Sequence, residues 1–243
     1  MDIEETVMKK MGSLCIAILI CSVLPGYSQT GEPRANRFSV GITGGLNLAN
    51  IYFSGNQDSD KQDIRPLGRY GFGAVLGYSL SDYFDLLVEP MYLQKGGMIQ
   101  QGSDPVAQPG GQIRTESVEF PLLMKNSYGD QFQPYLLAGV SVGFNLKSEI
   151  EYDISGLQFT GDLNSVTQTV DAGLVLGVGI QMPAGKFKIF MESRYLHGMV
   201  NQRRSGTISL SSGTIQMDIV TDKDVDRYTS RGIQVMFGLI LPL

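Results

Sequence analysis

The sequence predicts an all-β chain, an eight-stranded antiparallel up-and-down transmembrane β-barrel. Eight stretches of about ten residues alternate apolar with small or polar residues. A strand tilted across a bilayer needs about 9–11 residues and puts every second side chain into lipid. The connections between the stretches alternate short and long, as an up-and-down meander requires. The face opposite the apolar one is rich in glycine, which weakens a strand facing water but makes room inside a narrow barrel.

The predicted strands are Phe38–Asn47, Tyr70–Leu80, Phe84–Gln94, Glu116–Lys125, Phe132–Leu146, Thr169–Gln181, Phe187–His197 and Ser230–Leu241. Pro134 to Leu146 shows the pattern best: Leu136, Ala138, Val140, Val142, Phe144 and Leu146 share one face, and Leu137, Gly139, Ser141, Gly143 and Asn145 the other. Short connections at 81–83, 126–131 and 182–186 carry turn chemistry, with Ser81-Asp82, Asn126 to Asp130 and Pro183-Ala184-Gly185. Long connections at 48–69, 95–115, 147–168 and 198–229 complete a count of three turns and four loops, which puts both termini on the turn side. Aromatic residues near the strand ends, among them Phe38, Tyr70, Phe72, Tyr78, Phe84, Tyr92, Phe144, Phe187 and Tyr195, match the girdles of a membrane interface. A soluble barrel would invert the two faces, leaving Gly71, Gly73, Gly77, Gly139, Gly143, Gly173, Gly177, Gly179, Gly232 and Gly238 on water-facing strands for no packing gain.

Residues 1–28 read as a secretory signal and 29–243 as one barrel domain. Lys9 and Lys10 lead into the apolar run Leu14–Leu24, followed by Pro25 and the small-x-small triplet Gly26-Tyr27-Ser28. The run is shorter than a membrane-spanning helix. Asp2, Glu4 and Glu5 are unusual in such a leader and make Met8 an alternative start. Cys15 and Cys21 both lie inside the leader, so the mature chain is expected to hold neither a disulfide nor a thiolate metal site. The formal charge of −5 becomes −4 once the two leader lysines and three leader acids are removed. An acidic chain does not suit nucleic-acid binding, which calls for a basic face. A mean hydropathy of 0.00 is ordinary for a barrel, because half of each strand faces away from lipid.

Gly-Ile-Thr-Gly-Gly-Leu-Asn at 41–47, Glu89-Pro90-Met91-Tyr92, Val118-Glu119-Phe120-Pro121-Leu122-Leu123-Met124-Lys125, Pro134-Tyr135-Leu136-Leu137-Ala138-Gly139 and the pair Glu192-x-Arg194-Tyr195 resemble the PorT-like outer-membrane β-barrel proteins, a family with an outer membrane protein beta-barrel domain. The resemblance covers essentially the whole mature chain. It implies a bacterial outer-membrane location, turns toward the periplasm and loops outside. The member that names the family is implicated in secretion and maturation of exported proteins. The shared motifs are scaffold positions, so fold similarity carries location rather than activity.

Alternation turns a set of charges inward: Asp85, Glu89, Glu119, Lys125, Asp171, Lys188, Glu192 and Arg194. Charges in a low-dielectric lumen must be paired. Glu89, Glu119, Glu192 and Arg194 are expected to form one network, with the Arg194 fork holding two carboxylates. Leu87, Met91, Leu123, Leu137, Phe190, Leu196 and Met236 also point inward, so a structural plug is favoured over a small ion-conducting pore.

A lipid-modifying enzyme would need a nucleophile, a base and an orienting group in reach of one another. His197, the only histidine, has Ser205 and Asp218 downstream, and this gives little ground for catalysis; the chain is not expected to be an enzyme. Asp222-Lys223-Asp224-Val225-Asp226 copies the start of a calcium loop but has Arg227 where the turn glycine belongs. Asp58, Asp60 and Asp63 are likewise interleaved with basic residues, so neither metal nor cofactor is expected.

The last loop holds two alternating runs, 207–212 and 214–220, expected to extend the seventh and eighth strands as a hairpin above the membrane; 149–154 and 157–160 do the same in the third loop. Their edges invite a protein partner by strand addition. The expected product is a monomer in contact with outer-membrane lipid and lipopolysaccharide, inserted by the barrel-assembly machinery through its terminal strand Ile233, Val235, Phe237, Leu239, Leu241. Its expected role is structural or interactive, linked to protein secretion or envelope maintenance.

Overall fold

The computed structural model describes residues 37–54, 64–99, 111–154, 157–212, 215–221 and 227–243. The leader with its cysteines, the acids at 58, 60 and 63, and those at 222, 224 and 226 lie outside the described residues.

Twelve strands are present: β1 Phe38–Ser54, β2 Ile64–Ser79, β3 Phe84–Val88, β4 Met91–Ile99, β5 Gln112–Ser127, β6 Gln133–Ile154, β7 Leu157–Asp162, β8 Val170–Ala184, β9 Phe187–Gly198, β10 Gly206–Ser212, β11 Ile215–Thr221 and β12 Arg227–Pro242. β1 pairs antiparallel with both β2 and β12, and the ring runs on through β3 and β4, β5, β6, β8 and β9 back to β12. With β3 and β4 counted as one broken strand, this is the eight-membered up-and-down ring that the alternation predicts. Closure leaves the ring no free edge.

The third predicted strand is interrupted. Pro90 lacks an amide hydrogen and divides it into β3 and β4, yet the ladder continues on both sides. Glu89 N donates to Pro121 O, and Pro90 O accepts from Ala74 N, each at 3.0 Å. The turns match their chemistry. Ser81 Oγ accepts from the amides of Tyr83 and Phe84, and Gly129 and Gly185 take positive φ of 94° and 66°, where a Cβ would be strained.

Ile42, Leu46, Leu76, Leu136, Leu176, Val178, Ile189 and Phe237 are exposed on the wall, as lipid contact requires. Aromatic pairs mark both rims. Phe38–Tyr78 and Tyr83–Tyr128 lie at the turn end, and Phe72–Tyr92 and Phe120–Phe144 lie toward the loops. All seven bulky residues expected to point inward are buried, in clusters that include Leu87, Leu123, Leu137, Phe190 and Leu196, and separately Met91 and Met236.

The strands run further outward than expected. β6 has 22 residues, roughly 70 Å of extended chain, so its outer part stands clear of the bilayer. There β7 folds back on β6, β10 pairs with β7, and β11 pairs with β10. This corrects the expected hairpin: β10 and β11 do not prolong β9 and β12 but join the third loop's sheet. The physical reason is a second small core in which Ile150, Leu163, Val166 and Leu210 bury one another, with Ile113 and Ile208 packed against them. Leu210 stands opposite Gly161, whose missing side chain lets it in.

Candidate functional site

Period-two alternation places every second residue of each ring strand in the lumen, and the polar ones gather in three tiers along the axis. Nearest the turns, Lys125 of β5 lies 3.4 Å from Asp85 of β3 and donates to Gln181 Oε1 of β8 at 2.9 Å. Gln181 donates in turn to Gln133, and Ser79 donates to Asp85.

In the middle tier, Arg194 of β9 sets Nη2 2.6 Å from Glu89 Oε2 and also against Glu192 Oε1. Tyr135 of β6 donates its hydroxyl to Glu192 Oε2 at 2.8 Å, and the Lys125 ammonium lies 5.2 Å from the Tyr135 ring centre. Glu89 and Arg194 are each 1% exposed. Gly179 stands opposite Tyr135, and a Cβ there would overlap the ring.

In the outer tier, Lys95 of β4 bridges Glu119 of β5 and Asp171 of β8, the latter at 2.7 Å. Glu119 also accepts from Ser141 at 2.6 Å and Ser117 at 3.3 Å. Asp171 accepts from Gln202 Nε2 at 2.8 Å and Ser230 Oγ at 2.9 Å. Gly143 faces Glu119 across the pair, and a Cβ there would collide with the carboxylate. The lumenal glycines therefore make room for large cross-strand neighbours.

The expected single network is thus corrected. Glu89, Glu192 and Arg194 meet, but Glu119 belongs to a separate tier, because the register sets it level with Asp171 across Gly143, and the Lys95 side chain reaches both carboxylates. Lys125 joins the turn-side tier, and Lys188 sits half-buried near the turn end of β9, in register with Pro183 and Ile240. Sequence reasoning missed Lys95, which lies one residue beyond the predicted end of its strand but keeps the inward parity of Glu89 and Met91. It also missed Tyr135, whose parity with Leu137 was signal enough, and Gln202, which no periodicity could place.

Gln202 belongs to a cap over the outer tier. Segments 163–169 and 199–205 are joined by Gln168 N to Gln202 O at 2.8 Å, Arg204 N to Val166 O at 2.7 Å and a bridge between Thr167 and Arg203. Asn145 Nδ2 donates to Gln202 Oε1 and Gln168 O. His197 stands at the outer end of β9, in register with Leu174 and Arg231, its Nδ1 3.5 Å from the Tyr195 hydroxyl. Asp218 lies on β11 opposite Ser209. Among the described residues no group of three or more metal-ligating His, Cys, Asp or Glu is present.

The family model of the outer membrane protein beta-barrel domain matches residues 27–202, well over half of the chain. The chain belongs to that family. This outer-membrane barrel is accordingly a protein of the bacterial outer membrane, with its strands crossing the bilayer. No curated protein matches the sequence. Among solved structures, it is similar to a major outer membrane protein from Thermus thermophilus at 12% identity and a TM-score of 0.49, covering 86% of this chain and 100% of that one. It is also similar to the outer membrane protease OmpT from Escherichia coli, at 10% identity, a TM-score of 0.45, and 88% and 99% coverage. The outer membrane protein OprG from Pseudomonas aeruginosa gives 14% identity, a TM-score of 0.41, and 84% and 96% coverage.

Proposed function

We propose that this protein is a non-enzymatic structural or interaction component of the outer membrane, with a closed lumen and an external sheet as its recognition surface. The observation that carries the reading is the lumen, where three tiers of paired charge and two apolar clusters fill the cross-section, with Arg194, Leu123 and Met236 each at most 1% exposed. Side chains can close an eight-stranded ring completely. What remains accessible is the sheet of β7, β10 and β11, held on its own small core above the membrane. Rigidly held external segments are the usual place for recognition. The resemblance of the strand motifs to those of PorT-like proteins favours a role near protein secretion or envelope maintenance. The working form is a monomer surrounded by lipid and lipopolysaccharide and inserted by the barrel-assembly machinery.

The test is conductance in planar bilayers of refolded protein whose folding is checked by heat-modifiable gel migration. Folded protein without stable steps is the expected result. Reproducible ion-selective steps that change with Arg194 or Glu119 substitutions would overturn the closed-lumen reading in favour of a small pore.

A further inference from the structure

The ring has no free edge, but the external sheet has one. Among the described residues, β11 is the strand that pairs on one side only: all seven of its residues, Ile215–Thr221, are matched to β10, and no strand is paired beyond it. Edge strands of native sheets are usually guarded by proline, by a bulge or by lysine. β11, Ile-Gln-Met-Asp-Ile-Val-Thr, has no proline, glycine or lysine, and its register with β10 is unbroken. Its outer backbone edge is therefore open to a further strand.

The side chains around this edge narrow the choice of that strand. The register places Gln216, Asp218 and Val220 on the face of the sheet that also carries Ser209 of β10 and Asp162 of β7, and all five are exposed. β7, β10 and β11 together hold these two aspartates and no lysine or arginine. Asp218 has no hydrogen bond or ion pair with any described residue. On the same face further in, Lys147 and Arg114 are each already against a carboxylate, Glu149 and Glu116. Arg203 and Arg204 belong to the cap, five or more residues along the chain from Ser209, which stands opposite Asp218. The edge is thus acidic, and this disfavours a second copy of the same strand. In an antiparallel pair of two β11 strands matched end to end, Asp218, the fourth of seven residues, falls opposite itself, and like charges directly opposite destabilise a ladder. Val220 is 82% exposed, the highest value among the exposed large hydrophobic side chains of the described residues, and it stands outside the bilayer, where lipid does not cover it.

We propose that β11 accepts an extended segment of a partner protein as an added strand, one that carries lysine or arginine opposite Asp218 and, two residues along, an aliphatic or aromatic side chain opposite Val220. Backbone hydrogen bonds supply the affinity of such an added strand, and alternate side chains supply its specificity. The inference rests on the reading of the external sheet as the recognition surface and names the partner's chemistry.

The test is binding of a fluorescent peptide, Thr-Lys-Thr-Val-Thr-Lys-Thr, to the full mature chain folded in zwitterionic detergent micelles, read by anisotropy. The two lysines and the valine share one face of this peptide when it is extended. Saturable binding is expected. It should weaken about fivefold or more for each of three changes: glutamate in place of both peptide lysines, N-methylation of the peptide backbone, and Asp218→Lys in the protein. Asp218 is exposed, so the variant should fold, as heat-modifiable migration will show, and the two altered peptides decide the matter without it. Absence of saturable binding overturns the proposal. So does binding that survives N-methylation, which makes the contact one of charge alone, and binding that survives Asp218→Lys, which places the peptide elsewhere. Light scattering that finds a dimer broken by Val220→Asp overturns it in favour of a second copy on the same edge. Bilayer conductance reads the closed lumen separately, so failed peptide binding by a non-conducting barrel strikes this edge alone.

Discussion

The middle and outer tiers of the lumen carry the same formal charges, two carboxylates and one cation, but differ in what else touches them. In the outer tier Ser117, Ser141, Ser230 and Gln202 all donate to the carboxylates. In the middle tier Tyr135 is the hydroxyl that donates, and Arg194 Nε and Nη1 have no hydrogen-bond partner. The middle tier therefore depends on its cation, whereas the outer tier spreads its charge over neutral donors. Neutral donors compensate a buried carboxylate only in part, but they remain when the cation is removed.

The largest effect is expected from Arg194→Met. It leaves Glu89 and Glu192 buried together without a cation, a loss of about 3–5 kcal/mol when one partner of a buried pair is removed. Heat-modifiable migration should show a markedly lower unfolding midpoint or failure to refold. Lys95→Met is the matched change in the outer tier. Four donors stay on its two carboxylates, and the expected loss is about 1–3 kcal/mol. Equal losses from the two variants would break the contrast between the tiers.

Glu119→Gln sharpens it further. The variant leaves Lys95 and Asp171 as a one-to-one pair, and the amide oxygen still accepts from Ser141 or Ser117. The midpoint should fall by about 1 kcal/mol, since one charge-assisted contact is lost while no buried charge is stranded. An unchanged midpoint would mean that Glu119 contributes nothing to the tier, and a loss as large as that of Arg194→Met would mean that the two tiers act as one network.

The same contrast explains what could be read in the sequence. Alternation alone located all eight ring strands, because lipid outside and a narrow interior inside make the period of two strict over the bilayer. Outside the membrane that constraint ends. β6 and β5 therefore continue past their expected ends, and β10 attaches to β7, with β11 paired on its other side, through a hydrophobic cluster that brings together residues from separate loops. Parity gave the inward side of Glu89, Glu119, Glu192 and Arg194 but not their height. Height depends on the stagger between neighbouring strands, which in this chain sets Glu119 level with Asp171 across Gly143, within reach of the Lys95 side chain, instead of with Arg194. The cap was out of reach for another reason: Gln202 enters the lumen from a connection without regular structure, positioned by contacts with Asn145 and Asp171 on two different strands.

Gln202→Ala should give the smallest effect on the barrel and a clear one on the cap. The ring keeps every strand pairing, and Asp171 keeps Lys95 and Ser230, so the loss in barrel stability should not exceed about 1 kcal/mol. The cap, however, loses the side chain that fixes 199–205 to the lumen, leaving the backbone bonds at Gln168 and Arg204 and that of Met199 N to Ala172 O. Local opening governs cleavage of a folded protein when reclosing is fast. Trypsin should therefore cut after Arg203 or Arg204 several-fold faster in the variant than in the wild type, with the barrel midpoint nearly unchanged. Equal cleavage rates would assign the closure of the outer mouth to the backbone bridge between the two segments rather than to the buried glutamine.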